Sequence, residues 1–449
     1  MNKSKDFISF LIKMNNGLSI DEVRDDIKDC IIDYLACTYA GSKIIGEKIE
    51  KLISFTVSPG NSPLIGLNKK TSPSSAALIN AMMAHSTELD DGHRFAMLHI
   101  EASIVSALIS AVSSGLVKGS TAFLKGIVIG YEVTCRLAQA MQPGHKIKGF
   151  HGTGTCATCG AALAIGFAAG YTEEELNNTL SAAVASASGL LEMIDSPSQL
   201  KPFTVGNSAK NGYIAACIGK AGFVGPNDPL FGKRGFFNAF ADEVNLDELF
   251  IKEKSYKIQQ RYTKPYASCR HCHPATEAVL NIIEQNSFEL GLIERIDVET
   301  YKLAIFGHDS KTVDSVSAAK MSMPFSIATA LVNGEAGFNA YSEDAINNEA
   351  VKNIANKVYI NESDDFNSAF PKKRGATVRI KTNDSQVFVY KVEYPLGEPE
   401  NPMNREAIVK KFYQLGNYAD KNNEQLNSVL NLTLNIEDYL NNWIELINN

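Results

Sequence analysis

Tryptophan occurs once in the 449 residues, histidine and cysteine eight times each, and neither charge sign dominates. Each scarcity excludes something. The cysteines stand at 30, 37, 135, 156, 159, 217, 269 and 272, without the short regular spacing of a disulfide scaffold, so reduced intracellular thiols are expected. Lys plus Arg number 43 against 50 Asp plus Glu, for a net charge of -7 and a pI near 5.7. A duplex nucleic-acid binder is more basic than this, and an anionic ligand would have to be met by cations gathered in a pocket. Long lipid-compatible runs are missing as well. The longest uncharged stretch, 152–172, carries five glycines with much Ala and Thr, which suits close helix packing better than a bilayer. The start, MNKSKDFISFLIKMNNG, lacks a continuous apolar core before a small-residue cleavage site, so a cytoplasmic location and no membrane partner are expected.

What is present is an ordinary globular composition, 45% hydrophobic and 21% charged. The first 260 residues read as helix after helix. Ser19-Ile-Asp-Glu22 and Thr172-Glu-Glu-Glu175 have the form of capping boxes, and Ala, Ser and Gly dominate 76–84, 102–114 and 156–170. Near residue 263 the texture changes to short β-branched segments: 295–305, 376–381 and 387–392, the last two flanking the polar turn 382–386 as in a hairpin. After Pro395, Pro399 and Pro402 the pattern is helical again, with Ile408, Phe412 and Leu415 on one face and Ile436, Leu440, Trp443 and Ile447 on another. This tail is expected to pack back onto the helical part.

Five of the eight histidines fall in three clusters. Glu88-Leu-Asp-Asp-Gly-His93-Arg94, with His99 downstream, makes a poor amphipathic helix and a plausible loop site. A solvated helix end with paired charges, or a cation held by Asp90, Asp91 and His93, are the other readings of it. Gly149-Phe-His151-Gly-Thr-Gly-Thr155 is a Gly-rich turn entering a small-residue helix, whose free N–H groups suit a carboxylate or an oxyanion. It is neither a Walker A loop nor a Rossmann turn. Lys264-Pro-Tyr-Ala-Ser-Cys269-Arg-His-Cys272-His273 suggests zinc. Its only partner pair, Cys156 and Cys159, lies 109 residues away in an Ala/Gly helix, so structural zinc is not expected. Lys201, before a proline, is either a surface lysine or a cation for a substrate carboxylate.

Taken in order, these segments resemble the MmgE/PrpD family, whose members include 2-methylcitrate dehydratase, cis-aconitate decarboxylase and iminodisuccinate epimerase. The matching pieces are 80–91 with His99, 150–156 leading into Gly160, 201–206, 222–226 with 232–236, Lys264-Pro-Tyr with His273, and 320–325. The resemblance implies a mainly α protein. A large all-helical domain built from both chain ends (1–262 and 399–449) would carry a smaller α+β lid domain (263–398), in a homodimer without metal or organic cofactor. A small di- or tricarboxylate would bind between helical domain and lid. His99, His151 and Lys201 take catalytic roles; Glu88, Asp91, Gly152 and Thr153, with Lys264, Cys269 and His273 from the lid, take substrate-binding ones.

Removing a proton beside a carboxylate needs a base near neutrality, for which histidine is suited, and the developing enediolate charge needs cations or N–H dipoles aimed at it. In the decarboxylase branch a histidine stands at Cys269 and a tyrosine at Phe325. These departures favour a dehydratase of a small hydroxy-polycarboxylate. An epimerase using the same α-proton abstraction, or a catalytically silent carboxylate-binding homologue, are the alternatives.

Overall fold

The computed structural model describes residues 2–56, 58–194 and 198–448. It is mainly helical and divides into two compact units: 1–193, 200–261 and 404–449 form the first, 194–199 and 262–403 the second. The second unit therefore runs to 403, five residues past the boundary drawn from the sequence, and the first also holds a short antiparallel pair, Ser62–Leu64 with Lys69–Thr71.

The first unit's principal helices are α1 (Arg24–Ile44), α2 (Pro73–Ser86), α3 (Glu101–Ser113), α4 (Ser120–Gln139), α5 (Gly152–Ala168), α6 (Glu173–Ser186) and α7 (Lys201–Lys220). Its centre is α5, packed against α3, α4, α6 and α7. Small side chains make that crowding possible, and every residue from Gly152 to Gly166 is buried. A Cβ on Gly160 would lie 1.9 Å from Thr134 Oγ1 and 2.9 Å from the Gly130 carbonyl oxygen, so α4 and α5 can approach only because that carbon is missing. Gly160→Ala is expected to destabilise the fold by about 1–3 kcal/mol, the usual cost of overpacking, read as a lower urea midpoint at unchanged slope. Cys156 and Cys159 are core residues of α5, and burial pushes the Cys156 thiol up to about 12.

The two capping boxes part ways. At Thr172 both bonds form: the Glu175 N–H donates to Thr172 Oγ1 at 3.2 Å and the Thr172 N–H to Glu175 Oε2 at 2.8 Å. At Ser19 neither forms. Residues Ile20–Glu22 make one 3-10 turn, Val23 leaves the helical path with φ -130°, and α1 starts at Arg24.

In the second unit, β1 (Ile293–Thr300), β2 (Val358–Glu362), β3 (Ala376–Thr382) and β4 (Val387–Val392) form one sheet in the order β2-β1-β3-β4. Strands β3 and β4 are the expected hairpin, β1 pairs antiparallel with β3, and β1 pairs parallel with β2, Ile296 opposite Val358. Alternation selects the core face: Ala376, Val378, Ile380 and Thr382 point inward from β3. Helix α8 (His273–Gln285) covers β3 and β4 and also packs on α9 (Met323–Asn333).

The chain returns to the first unit through α10 (Arg405–Tyr418), α11 (Asn423–Leu434) and α12 (Ile436–Leu446). Ile408, Phe412 and Leu415 are buried where α10 meets α1, and α12 buries Trp443, whose indole N–H donates to Thr433 Oγ1 at 2.8 Å. Among the described residues, no helix is long and apolar enough to cross a membrane; 152–172 is a buried helix and its turn.

Candidate active site

Helix α2 ends at Ser86, and the chain turns at Glu88 with φ +58°, a left-handed backbone that side-chain-bearing residues seldom adopt. The turn throws the Glu88 carboxylate back onto Lys201, the first residue of α7, and the two form an ion pair with only 14% and 16% of their side chains accessible. Lys201 is thus no surface lysine. Behind the pair stand three imidazoles. The His85 and His99 rings meet edge to face at 4.7 Å, and His85 lies 6.5 Å from His151. Asp90 joins them: its Oδ2 is 2.7 Å from His85 Nδ1 and 3.7 Å from His99 Nδ1. His85, Asp90, Asp91 and His93 are fully buried, which discards the solvated-helix-end reading.

The hydrogen bonds fix which nitrogens are basic. His99 Nδ1 donates to the Asp91 carbonyl at 2.6 Å, so its lone pair is on Nε2. Thr204 Oγ1 gives its own proton to the Lys201 carbonyl at 2.9 Å, so at 2.8 Å from His151 Nδ1 it accepts, and His151 also keeps its lone pair on Nε2. Burial holds the His151 pKa well below the ordinary imidazole value, helped by the positive charge of Lys201 and then by His85 and His99, against the pull of Glu88. A neutral His151 is a base ready for use at neutral pH.

His151 is also the N-cap residue of α5. Its N–H donates to the Gly189 carbonyl at 3.1 Å and the Leu191 N–H donates to the Gly149 carbonyl at 2.8 Å, which pins this turn between α6 and α7 of the chain. The segment lies close because Gly154 has no side chain; a Cβ there would meet the Ser188 carbonyl oxygen at 2.2 Å. His145 buttresses the same turn, with Nε2 2.8 Å from Thr155 Oγ1 and its ring stacked on Phe150 at 5.2 Å.

Several expected substrate contacts have other duties. Asp91 Oδ1 accepts the N–H groups of Ile100 and Glu101 at 3.1 and 3.0 Å, and its other oxygen takes the Tyr131 hydroxyl. It is a buried brace for His99, with its pKa raised by burial. The Thr153 hydroxyl accepts the His99 N–H at 3.0 Å and so positions that residue. The Thr155 N–H is taken by the His151 carbonyl at 3.2 Å, leaving Gly152, Thr153 and Gly154 as the first-turn donors without an intrahelical acceptor. Lys411 of α10 donates to the Leu89 carbonyl at 2.7 Å and pairs with Asp33 at 2.6 Å, tying the loop to the core.

In the second unit Lys264 is fully buried and Cys269 partly so. His273 accepts from Arg270 Nη1 at 2.8 Å and has Nε2 3.2 Å from the Ser268 carbonyl, which ties it into the unit's own framework. Phe325, buried, packs beside Tyr341 at 5.9 Å.

Among the described residues, three groups of side chains bring possible ligand atoms within 4.8 Å of one another: His85, Asp90 and His99; Asp33, Cys37 and Glu101; and Cys269, His271 and His308. The cation site imagined at Asp90, Asp91 and His93 is not among them. In the first group, His85 Nδ1 and His99 Nδ1 bond to Asp90 and to a backbone carbonyl, and the second is bound to Lys411. Sequence reasoning assigned no role to His85, Thr204 or His145, and gave Asp90 only the reading of a cation ligand. His85 sits in the apolar run of α2 and looks like a core histidine, and nothing local signals its approach to His99.

Residues 7–249 match the MmgE/PrpD N-terminal domain and residues 266–435 the MmgE/PrpD C-terminal domain. The chain is 28% identical over 442 residues to a cis-aconitate decarboxylase of Aspergillus terreus, covering 90% of this chain and 88% of that one. It is 24% identical to a cis-aconitate decarboxylase-like protein of Aspergillus oryzae (93% and 90% covered) and 23% identical to human cis-aconitate decarboxylase (88% and 85%).

Proposed function

The chain belongs to the MmgE/PrpD family, and from that premise we propose that it is a lyase moving protons at a carbon beside a carboxylate of a small tricarboxylate. One observation carries the reading: two imidazoles with their Nδ1 atoms committed to the protein share a buried cluster with an ammonium ion. A substrate carboxylate displaces Glu88 at Lys201. His151 Nε2 then takes the α-proton, and the enediolate charge is met by Lys201 and the first-turn N–H groups of α5. His99 enters this step as the imidazolium, its charge facing Asp90, and gives its Nε2 proton to the leaving hydroxyl; the carbon–oxygen bond breaks, water departs, His99 is left neutral and a carbon–carbon double bond remains. This scheme, a dehydratase of a hydroxy-tricarboxylate, asks for no metal or organic cofactor at the cluster.

Decarboxylation is the second reading, favoured by the activity named for the relatives. There the carbon–carbon bond to the carboxylate breaks, carbon dioxide leaves, and an imidazolium protonates the carbon skeleton. Proton NMR of the enzyme in D2O with 2-methylcitrate, citrate, cis-aconitate, malate and iminodisuccinate separates the possibilities. A new alkene signal from a hydroxy acid is the expected result. Loss of carbon dioxide from cis-aconitate would establish the second reading, and deuterium entering an α-carbon without elimination would replace both by an epimerase.

A homodimer is part of the proposal. Phe203, Ile214 and Ile218 form an exposed apolar stripe on α7, continued by Phe223 and Val224, and a second copy would cover it. Light scattering should return twice the 48.8 kDa chain mass.

A further inference from the structure

Outside the imidazole cluster, the second unit brings together Cys269, His271 and His308, one ligand atom from each lying within 4.8 Å of the others. We propose that these three side chains form a binding site for one soft divalent cation of the zinc class. The separation of one ligand pair matches a coordination shell. Zinc bonds of about 2.3 Å to sulfur and 2.0–2.1 Å to nitrogen, opened to the tetrahedral angle, separate the two ligand atoms by about 3.6 Å. Cys269 Sγ and His308 Nε2 are 3.6 Å apart. His308 is already oriented as metal-bound imidazoles are: its Nδ1 donates to the Met321 carbonyl at 2.7 Å, which turns the Nε2 lone pair toward the sulfur. His271 has Nδ1 2.6 Å from the Tyr301 hydroxyl, which can accept the Nδ1 proton and leave the Nε2 lone pair for a metal, and its ring lies 5.3 Å from that of His308 at 34°. Both histidines are buried, and Cys269 is the partly accessible member through which an ion would enter.

This is a different site from the Cys-X-X-Cys pair that the sequence suggests. Cys272 Sγ points at the Met321 carbonyl, 3.8 Å away, and His273 is bound to Arg270 and Ser268. The third ligand, His308, comes from 39 residues down the chain. On binding, the Cys269 S–H bond breaks, the proton goes to solvent, and the thiolate pair is shared with the metal. Three protein ligands leave a fourth position for water or another small ligand, as in open zinc sites. The expectation of a metal-free chain gives way, for this unit, to a site that fills when the ion is supplied.

The test is titration of the chelator-treated full chain with Co2+ under anaerobic conditions. One equivalent should produce a thiolate-to-cobalt charge-transfer band with the visible bands of a tetrahedral ion, and zinc should bleach both. Cys269→Ser should abolish the band, His308→Gln should weaken binding by more than the 10- to 100-fold typical of losing an outer partner, and Cys272→Ser should keep it. No band, or a band surviving in Cys269→Ser, overturns the proposal. If Cys269→Ser fails to fold by circular dichroism, the unmutated protein decides: zinc should protect the Cys269 peptide from alkylation by iodoacetamide, and equal labelling with and without zinc overturns the site.

Discussion

His151→Ala should lower kcat by about 100- to 10,000-fold, the range of a lost general base, with little change in folded content. The residue caps α5 through its backbone, and the alanine variant keeps those backbone bonds while losing the imidazole. The pH dependence is the sharper readout. Burial and Lys201 lower the His151 pKa from the ordinary 6.5, so the acid limb of kcat/KM in the wild type should lie below pH 6.5. The same shift acts on stability. Below pH 6.5 the unfolded chain binds a proton at this residue that the folded chain refuses, so stability falls as pH drops through that window, and His151→Ala should flatten that part of the profile. Near-wild-type turnover in His151→Ala would sink the assignment.

Lys201→Met should cost roughly 10- to 150-fold in kcat/KM, equivalent to the 1.5–3 kcal/mol of a hydrogen bond to a charged group. Most of it should appear in KM, because the ammonium is proposed to hold a ground-state carboxylate as well as the enediolate. A second effect follows from position. Lys201 is the first charge that depresses His151, so removing it should move the acid limb toward higher pH. A pure docking role remote from His151 would leave the limb where it was, so the two readouts separate a structural lysine from a functional one. Glu88→Gln should act in the opposite sense on KM, since it removes the carboxylate that competes with substrate.

Much of this was legible in the residues. Small-residue runs marked the tightly packed helices, because a Cβ at Gly160 has nowhere to go, and β-branched segments marked β1, β3 and β4. Strand β2 was not, since Val358–Glu362 is short and mostly accessible, and its parallel pairing with β1 depends on a long crossover. The Ser19 box failed because one residue beyond it, Val23, leaves the helical region, whereas Thr172 leads directly into helix. At the site, the motifs carried His99, His151, Lys201 and Glu88. They did not carry the tautomers. Those depend on Thr204 and the Asp91 carbonyl, which meet the two imidazoles only after folding. Nor did the motifs show that Asp91 and Thr153, expected as ligand contacts, also hold backbone N–H groups of the 99–101 segment, because a motif records side chains and not what they face.

The left-handed turn at Glu88 bears on how variants of this protein would be selected. Glycine adopts that backbone without penalty, and a side chain there costs free energy that the ion pair with Lys201 offsets. Glycine at position 88 would relieve the backbone but leave the largely buried Lys201 ammonium without the Glu88 carboxylate, so a screen for heat resistance would keep the glutamate. Thermal robustness and substrate affinity are then set against each other at one side chain, and a library ranked by melting temperature alone would retain the carboxylate that, in the proposed scheme, competes with substrate for Lys201.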